Sequence, residues 1–143
     1  MNNMINKLEE WNNDPKFSSM INLKKSKKII DKLEQFAEES EIARRYLAEI
    51  EEHINSFHLD MVPEDFKGWK QTLSNAKSYL IKEHNCVEEG HYMALYMSVG
   101  ISFGVLFGLM LDNIALGIPL GLPIGLGVGL ALDEKAKKKG LVI

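Results

Sequence analysis

MALYMSVGISFGVLFGLML (residues 93–111), DN (112–113) and IALGIPLGLPIGLGVGLAL (114–132) decide the fold. Of these 40 residues only Ser98, Ser102, Asp112 and Asn113 are polar, and eight of the chain's 11 glycines lie among them. Each arm has 19 residues. Wound as an α-helix, such an arm is about 28 Å long, close to the roughly 30 Å hydrocarbon core of a bilayer. One continuous helix would bury Asp112-Asn113 at the bilayer centre, where polar groups are expensive. Two helices place the pair at the far interface, and Asp and Asn suit a tight turn. The stretch therefore predicts a transmembrane helical hairpin.

The glycines carry a finer signal. Gly100, Gly104 and Gly108 repeat every four residues in the first arm, and Gly117, Gly121, Gly125 and Gly129 do so in the second. Lipid tails are as apolar as leucine, so leucine burial does not drive helices together in a membrane. A face of small residues does, because backbones come close enough for van der Waals and Cα–H···O contacts. The spacing predicts close helix packing and leaves open whether the partner is the other arm, another subunit or both. Pro119 and Pro123 each remove a backbone donor from the second arm. Their two readings are a kink tolerated beside the glycines and a bend in a pore-lining helix.

Gly100-xxx-Gly104-xxx-Gly108, the run from Asn113 to Gly117, Pro119-Leu120-Gly121 and the closing Asp133-Glu134-Lys135-Ala136-Lys137-Lys138 resemble bacterial glycine-zipper membrane proteins. The resemblance covers roughly residues 92–140, about a third of the chain. It implies a plasma-membrane hairpin with a basic cytoplasmic tail and no catalytic activity.

Outside the hairpin the character changes. Residues 1–91 hold 13 of the 17 Lys/Arg and 17 of the 20 Asp/Glu, and the formal charge of −3 for the whole chain argues against a nucleic-acid partner. The expected divisions are a cytoplasmic helical domain over 1–90, the transmembrane hairpin over 91–134 and a basic tail over 135–143. Lys135, Lys137, Lys138 and Lys139 follow the second arm directly, and the turn carries no cation. The positive-inside rule then puts the tail in the cytoplasm, and an even number of spans puts the N-terminal region there too. No apolar run of signal-peptide type occurs in the first thirty residues, which agrees with that topology. Tyr92 and Tyr96 suit an interfacial aromatic belt. One cysteine, Cys86, excludes an internal disulfide.

The polar region reads as helices. Met1, Met4, Ile5, Leu8 and Trp11 share one helical face, and Asp14-Pro15 restarts the chain, with Pro at a first helical position. A long helix is expected from there to Phe57. Ile29, Leu33, Phe36, Ala43, Leu47, Ile50, Ile54 and Phe57 step by fours and threes in a heptad pattern, with Ser40 in one core slot. Val62-Pro63-Glu64-Asp65 begins another helix with the stripe Phe66, Trp69, Leu73, Ala76 and Leu80. The long stripe either packs against the second as an intramolecular hairpin, extended by the first helix to a three-helix bundle, or zips with copies of itself as a coiled coil. The fold class is all-α in either case.

Chemistry-bearing constellations are sparse. His84, Cys86 and His91 have ligand-type spacing but no fourth ligand, so no metal is expected. His53 and His58 read as surface residues. Lys24, Lys25, Lys27 and Lys28 form a basic cluster, read either as a solvated face or, with the lysines of the tail, as contacts to anionic lipid. Gly125-Leu-Gly127-Val-Gly129 lacks nucleotide-loop spacing. No cofactor and no enzymatic activity are implied. The expected function is that of an oligomeric, non-enzymatic membrane protein whose cytoplasmic helices bind a protein partner or sense a signal. The alternative is a pore-forming effector of bacterial-toxin or phage-defence type.

Overall fold

The computed structural model describes residues 2–58 and 60–143. Among them the chain is all-helical apart from turns and one isolated bridge between Val87 and Val142. It divides into two compact units: the first ends at Asn85 and also takes in Ile143, and the second is Cys86–Val142.

The first unit holds five helices: α1 (Asn2–Asn12), α2 (Pro15–Ile21), α3 (Leu23–Phe36), α4 (Glu41–Ser56) and α5 (Phe66–His84). Met1, the first member of the N-terminal stripe, lies outside the described residues. Helices α3, α4 and α5 contact one another pairwise, and α1 lies on α3 and α4. The core is Leu8, Phe17, Ile21, Ile29, Ile30, Leu33, Ile50, Ile54, Trp69 and Leu80, all essentially without solvent contact. Aromatic rings gather at one place in it. Phe57 lies 5.2 Å from Phe66 and 5.5 Å from Trp69, and Phe17 lies 5.0 Å from Trp11 and 5.6 Å from Phe66. Such offset and tilted pairs add specific geometry to apolar burial.

The long helix expected to run to Phe57 is instead three helices. Asn22 takes a left-handed conformation (φ 46°), which Asn tolerates better than other non-glycine residues. The buried Ser26 hydroxyl donates to the Ile21 carbonyl at 2.7 Å, satisfying an acceptor that the end of α2 leaves over. The second break corrects the reading of Ser40 as a core residue. Ser40 is extended (φ −127°, ψ 119°), and its Oγ accepts from the Ala43 N–H at 3.3 Å, which makes it the N-cap of α4. Its hydroxyl also meets the Tyr79 hydroxyl at 2.7 Å. Residues 62–65 form a turn ahead of α5 instead of its first turn, with the Asp65 carboxylate accepting from the Val62 N–H at 2.8 Å.

The second unit is built on α6 (His91–Met110) and α7 (Ile114–Lys138). At 1.5 Å per residue α6 is about 30 Å long and α7 about 38 Å. The longer helix takes in the first four residues of the expected tail, with Lys135, Lys137 and Lys138 in its last turn. Gly140 (φ 66°) then closes it. The Leu141 N–H donates to the Ala136 carbonyl and the Gly140 N–H to the Lys137 carbonyl, both at 3.0 Å, the two bonds of a Schellman motif. The chain past this cap returns the Leu141 carbonyl to the Val87 N–H at 2.9 Å.

Candidate functional site

Helices α6 and α7 run antiparallel and meet along their glycines. In α6 the buried residues are Gly100, Gly104 and Gly108, and in α7 they are Gly117, Gly121, Gly125, Gly129 and Ala136. The register is regular. A Cβ built on Gly117 would fall on the Gly104 carbonyl oxygen, one on Gly121 on the Gly100 oxygen, and one on Gly125 on the Tyr96 oxygen. On Gly129 it would lie 2.6 Å from the Met93 α-carbon and 2.8 Å from the Tyr92 oxygen. The relation is reciprocal. A Cβ on Gly100 would lie 2.5 Å from the Gly121 oxygen, and one on Gly104 2.7 Å from the Gly117 oxygen. In each case a glycine α-hydrogen occupies the place a side chain would take, facing a carbonyl of the other helix. That arrangement suits Cα–H···O contacts, worth about 0.5–1 kcal/mol each. Gly127 is off this face and has open space where its Cβ would stand.

The turn closes the seam at one end. Asp112 is left-handed (φ 51°); its N–H donates to the Leu109 carbonyl at 3.3 Å, and the Asn113 N–H donates to the Gly108 carbonyl at 2.8 Å. This is a second Schellman motif, with Asp112 where glycine is usual. A Cβ on Gly108 would lie 2.6 Å from the Ile114 α-carbon, so the turn is tight because Gly108 leaves room for it.

At the other end a residue that sequence reasoning treated only as the close of the span does specific work. The α6 N-cap is Gly90, which has no side chain to satisfy the first-turn donors. The Asp133 carboxylate of α7 supplies the acceptors. Its Oδ1 accepts from the Tyr92 N–H at 3.0 Å and its Oδ2 from the Met93 N–H at 2.9 Å. These are the donors an N-cap side chain ordinarily serves, and the carboxylate also complements the positive end of the α6 dipole. Asp133→Ala is expected to destabilise the hairpin by about 1–2 kcal/mol. It should speed hydrogen exchange at the Tyr92 and Met93 amides while leaving those near Gly104 slow. Unchanged exchange at Tyr92 and Met93 would remove the cap from the account.

Away from the seam the hairpin is apolar and exposed. Met110 is 80% accessible, Ile124 67% and Leu106 57%, and both helices are long and apolar enough to cross a membrane. Such a surface requires an apolar surrounding. Pro119 and Pro123 sit on exposed faces of α7, which continues as a helix through both. Ser98 and Ser102 hydroxyls donate back to the Leu95 and Ser98 carbonyls at 2.7 and 2.9 Å, so they present no polar stripe. Phe103, Phe107, Leu120, Ile124 and Val128, with Tyr96, border a concavity of about 520 Å³ on one side of the seam.

The remaining candidates are dispersed. Lys138 pairs with Glu134 at 2.8 Å, and Lys135, Lys137 and Lys139 are exposed. Of the N-terminal lysines, Lys27 pairs with Glu9, Lys28 is half-buried, and Lys24 and Lys25 are exposed. His84 stacks on Phe36 at 3.7 Å and hydrogen-bonds the Tyr79 hydroxyl at 2.9 Å. His91 lies edge-on to Tyr92 at 5.2 Å, and Cys86 is a buried thiol. His53 meets the Thr72 hydroxyl at 3.2 Å, and His58 is exposed.

Residues 88–135 match the model of the glycine zipper membrane protein family. The resemblance read from the glycine spacing therefore holds over the C-terminal third, where both helices are long and apolar enough to cross a membrane. No curated protein and no solved structure matches the chain.

Proposed function

We propose that the chain is a non-enzymatic, homo-oligomeric protein of the bacterial plasma membrane, crossing it twice with both termini in the cytoplasm. Its first helical unit binds a protein partner or senses a signal there. The observation that carries this reading is the disposition of apolar surface on the hairpin. The glycine faces are consumed between α6 and α7, yet Phe103, Phe107, Leu120 and Ile124 remain exposed around a concave face. Subunits then assemble through this bulky outer face, and the glycines act by holding each hairpin rigid. Lys135, Lys137 and Lys139, exposed beyond the span, support a cytoplasmic C-terminus beside anionic lipid.

The pore-forming alternative has less behind it. A conduction path lined by the glycine faces would have to open the seam, and the Ser98 and Ser102 hydroxyls are committed to their own helix. A hydrophobically gated path between outer faces is what that alternative requires.

Reporter fusions at Met1 and Ile143 should both report cytoplasm, and an extracytoplasmic signal from either end rejects the topology. Cross-linking in native membranes should give oligomers that Phe107→Ala with Ile124→Ala weakens. A monomer under all conditions rejects the assembly. Conductance of reconstituted liposomes, if it appears, moves the reading to the effector.

A further inference from the structure

The first unit contains a cleft of about 290 Å³ between α3 and α5 that the hairpin chemistry leaves unexplained. Three cations border it, Lys25 from α3 and Lys70 and Lys77 from α5, together with Asn22 and the Ser74 hydroxyl, and no carboxylate is among its lining residues. Trp69 forms part of the wall. It is 1% exposed, and its indole Nε1 is the single buried side-chain nitrogen or oxygen among the described residues without a hydrogen-bond partner. The N-terminal end of α3 contributes Asn22 and Lys25 to the lining, and this helix starts without a side-chain cap and without an acidic residue in its first turn. The positive end of its dipole therefore faces no anion of its own first turn.

We propose that this cleft binds a phosphate-bearing anion, held by the Lys25, Lys70 and Lys77 ammonium groups, with the Trp69 indole N–H and the Ser74 hydroxyl as neutral donors. Several observations converge on that ligand. Lysine is a point-charge binder of phosphate, and three of them suit a doubly charged group better than a single carboxylate. Burial first, and then the neighbouring Lys25 ammonium, hold the Lys77 amine below its ordinary value of 10.5. Like charges drawn into one cleft repel, and an anion between them reverses the sign of the interaction. A buried indole N–H without an acceptor is unfavourable until an acceptor arrives. The site gives the first unit a chemical class of signal. It does not depend on oligomerisation, so either idea can fail alone.

The test uses the full chain with Trp11→Phe, so that Trp69 alone emits. In neutral detergent micelles, sodium phosphate is titrated against sodium chloride at matched ionic strength. In a second arm, the protein sits in nanodiscs of phosphatidylcholine with or without phosphatidylglycerol. A saturable Trp69 response to inorganic phosphate assigns the site to a free phosphate group. A response confined to phosphatidylglycerol nanodiscs assigns it to a lipid headgroup. In either case Lys25→Ala with Lys77→Ala should weaken the response about tenfold or more, whereas Lys67→Ala with Lys82→Ala, removing equal charge outside the cleft, should leave it within about twofold. Circular dichroism checks the fold, and Lys70→Ala carries the comparison if the double variant unfolds. The proposal is overturned by silence in both arms, by an equal response to chloride, or by equal loss in the two lysine pairs.

Discussion

Gly121→Leu is expected to leave the chain in the membrane and to separate α6 from α7. The substitution raises hydrophobicity, so insertion itself should not suffer. The damage is local and steric: the new Cβ would fall on the Gly100 carbonyl oxygen, and the Gly104 nitrogen and α-carbon are 2.7 Å from the same point. These are backbone atoms and have no rotamer by which to yield. Overpacking in ordinary cores costs about 1–3 kcal/mol, occasionally more, and a backbone obstacle places this case at or above the upper end. Gly127→Leu is the matching control. It is the same substitution six residues along the same helix, with no atom within 4 Å of the added Cβ. Alkaline extraction should keep both variants in the membrane fraction. Hydrogen exchange along α6 and α7 in micelles should rise for Gly121→Leu and stay near wild type for Gly127→Leu. Equal behaviour of the two would mean that the glycines merely loosen two ordinary spans. Loss of oligomers with a compact hairpin would place the glycine faces between subunits.

The hairpin was legible because its causes are local or periodic. Forty nearly apolar residues interrupted by Asp112-Asn113 admit few arrangements, and a four-residue glycine repeat marks one helical face whatever lies opposite. The Asp133 cap was not legible. It joins positions some forty residues apart, and its need arises from Gly90, whose lack of a side chain is silent in a one-dimensional pattern. The polar region misled for a different reason. The four-three steps from Ile29 to Phe57 continue in phase across Ser40, so periodicity registers one helix where α3 and α4 are two. A serine on an apolar stripe followed by Glu41 was the available sign of an N-cap. The cleft lined by Lys25, Lys70 and Lys77 draws on two distant segments, and only the N-terminal cation, within the 24–28 cluster, stood out in the sequence.

Ile50→Asp is expected to unfold the first unit, and Leu47→Asp to damage it much less. A continuous heptad seam would place both residues in it and predict similar losses. In the two-helix arrangement they differ. Ile50 on α4 has no solvent exposure, whereas Leu47 is only half-buried. A carboxylate at Ile50 would be charged without a partner or would have to take up a proton. Either outcome, with the lost apolar burial, costs about 3 kcal/mol or more, a large share of a small domain's 5–15 kcal/mol. At Leu47 the carboxylate can reach water by rotating outward, and the loss should be about 1 kcal/mol. Both tryptophans, Trp11 and Trp69, belong to the first unit, so their emission during urea titration of the full chain reports this unit and not the hairpin. The expected record is a wild-type transition, a slightly earlier one for Leu47→Asp, and no cooperative transition for Ile50→Asp. Equal midpoints for the two variants would put Leu47 in the packed seam beside Ile50, as the heptad pattern has it, and reject its half-buried placement on α4.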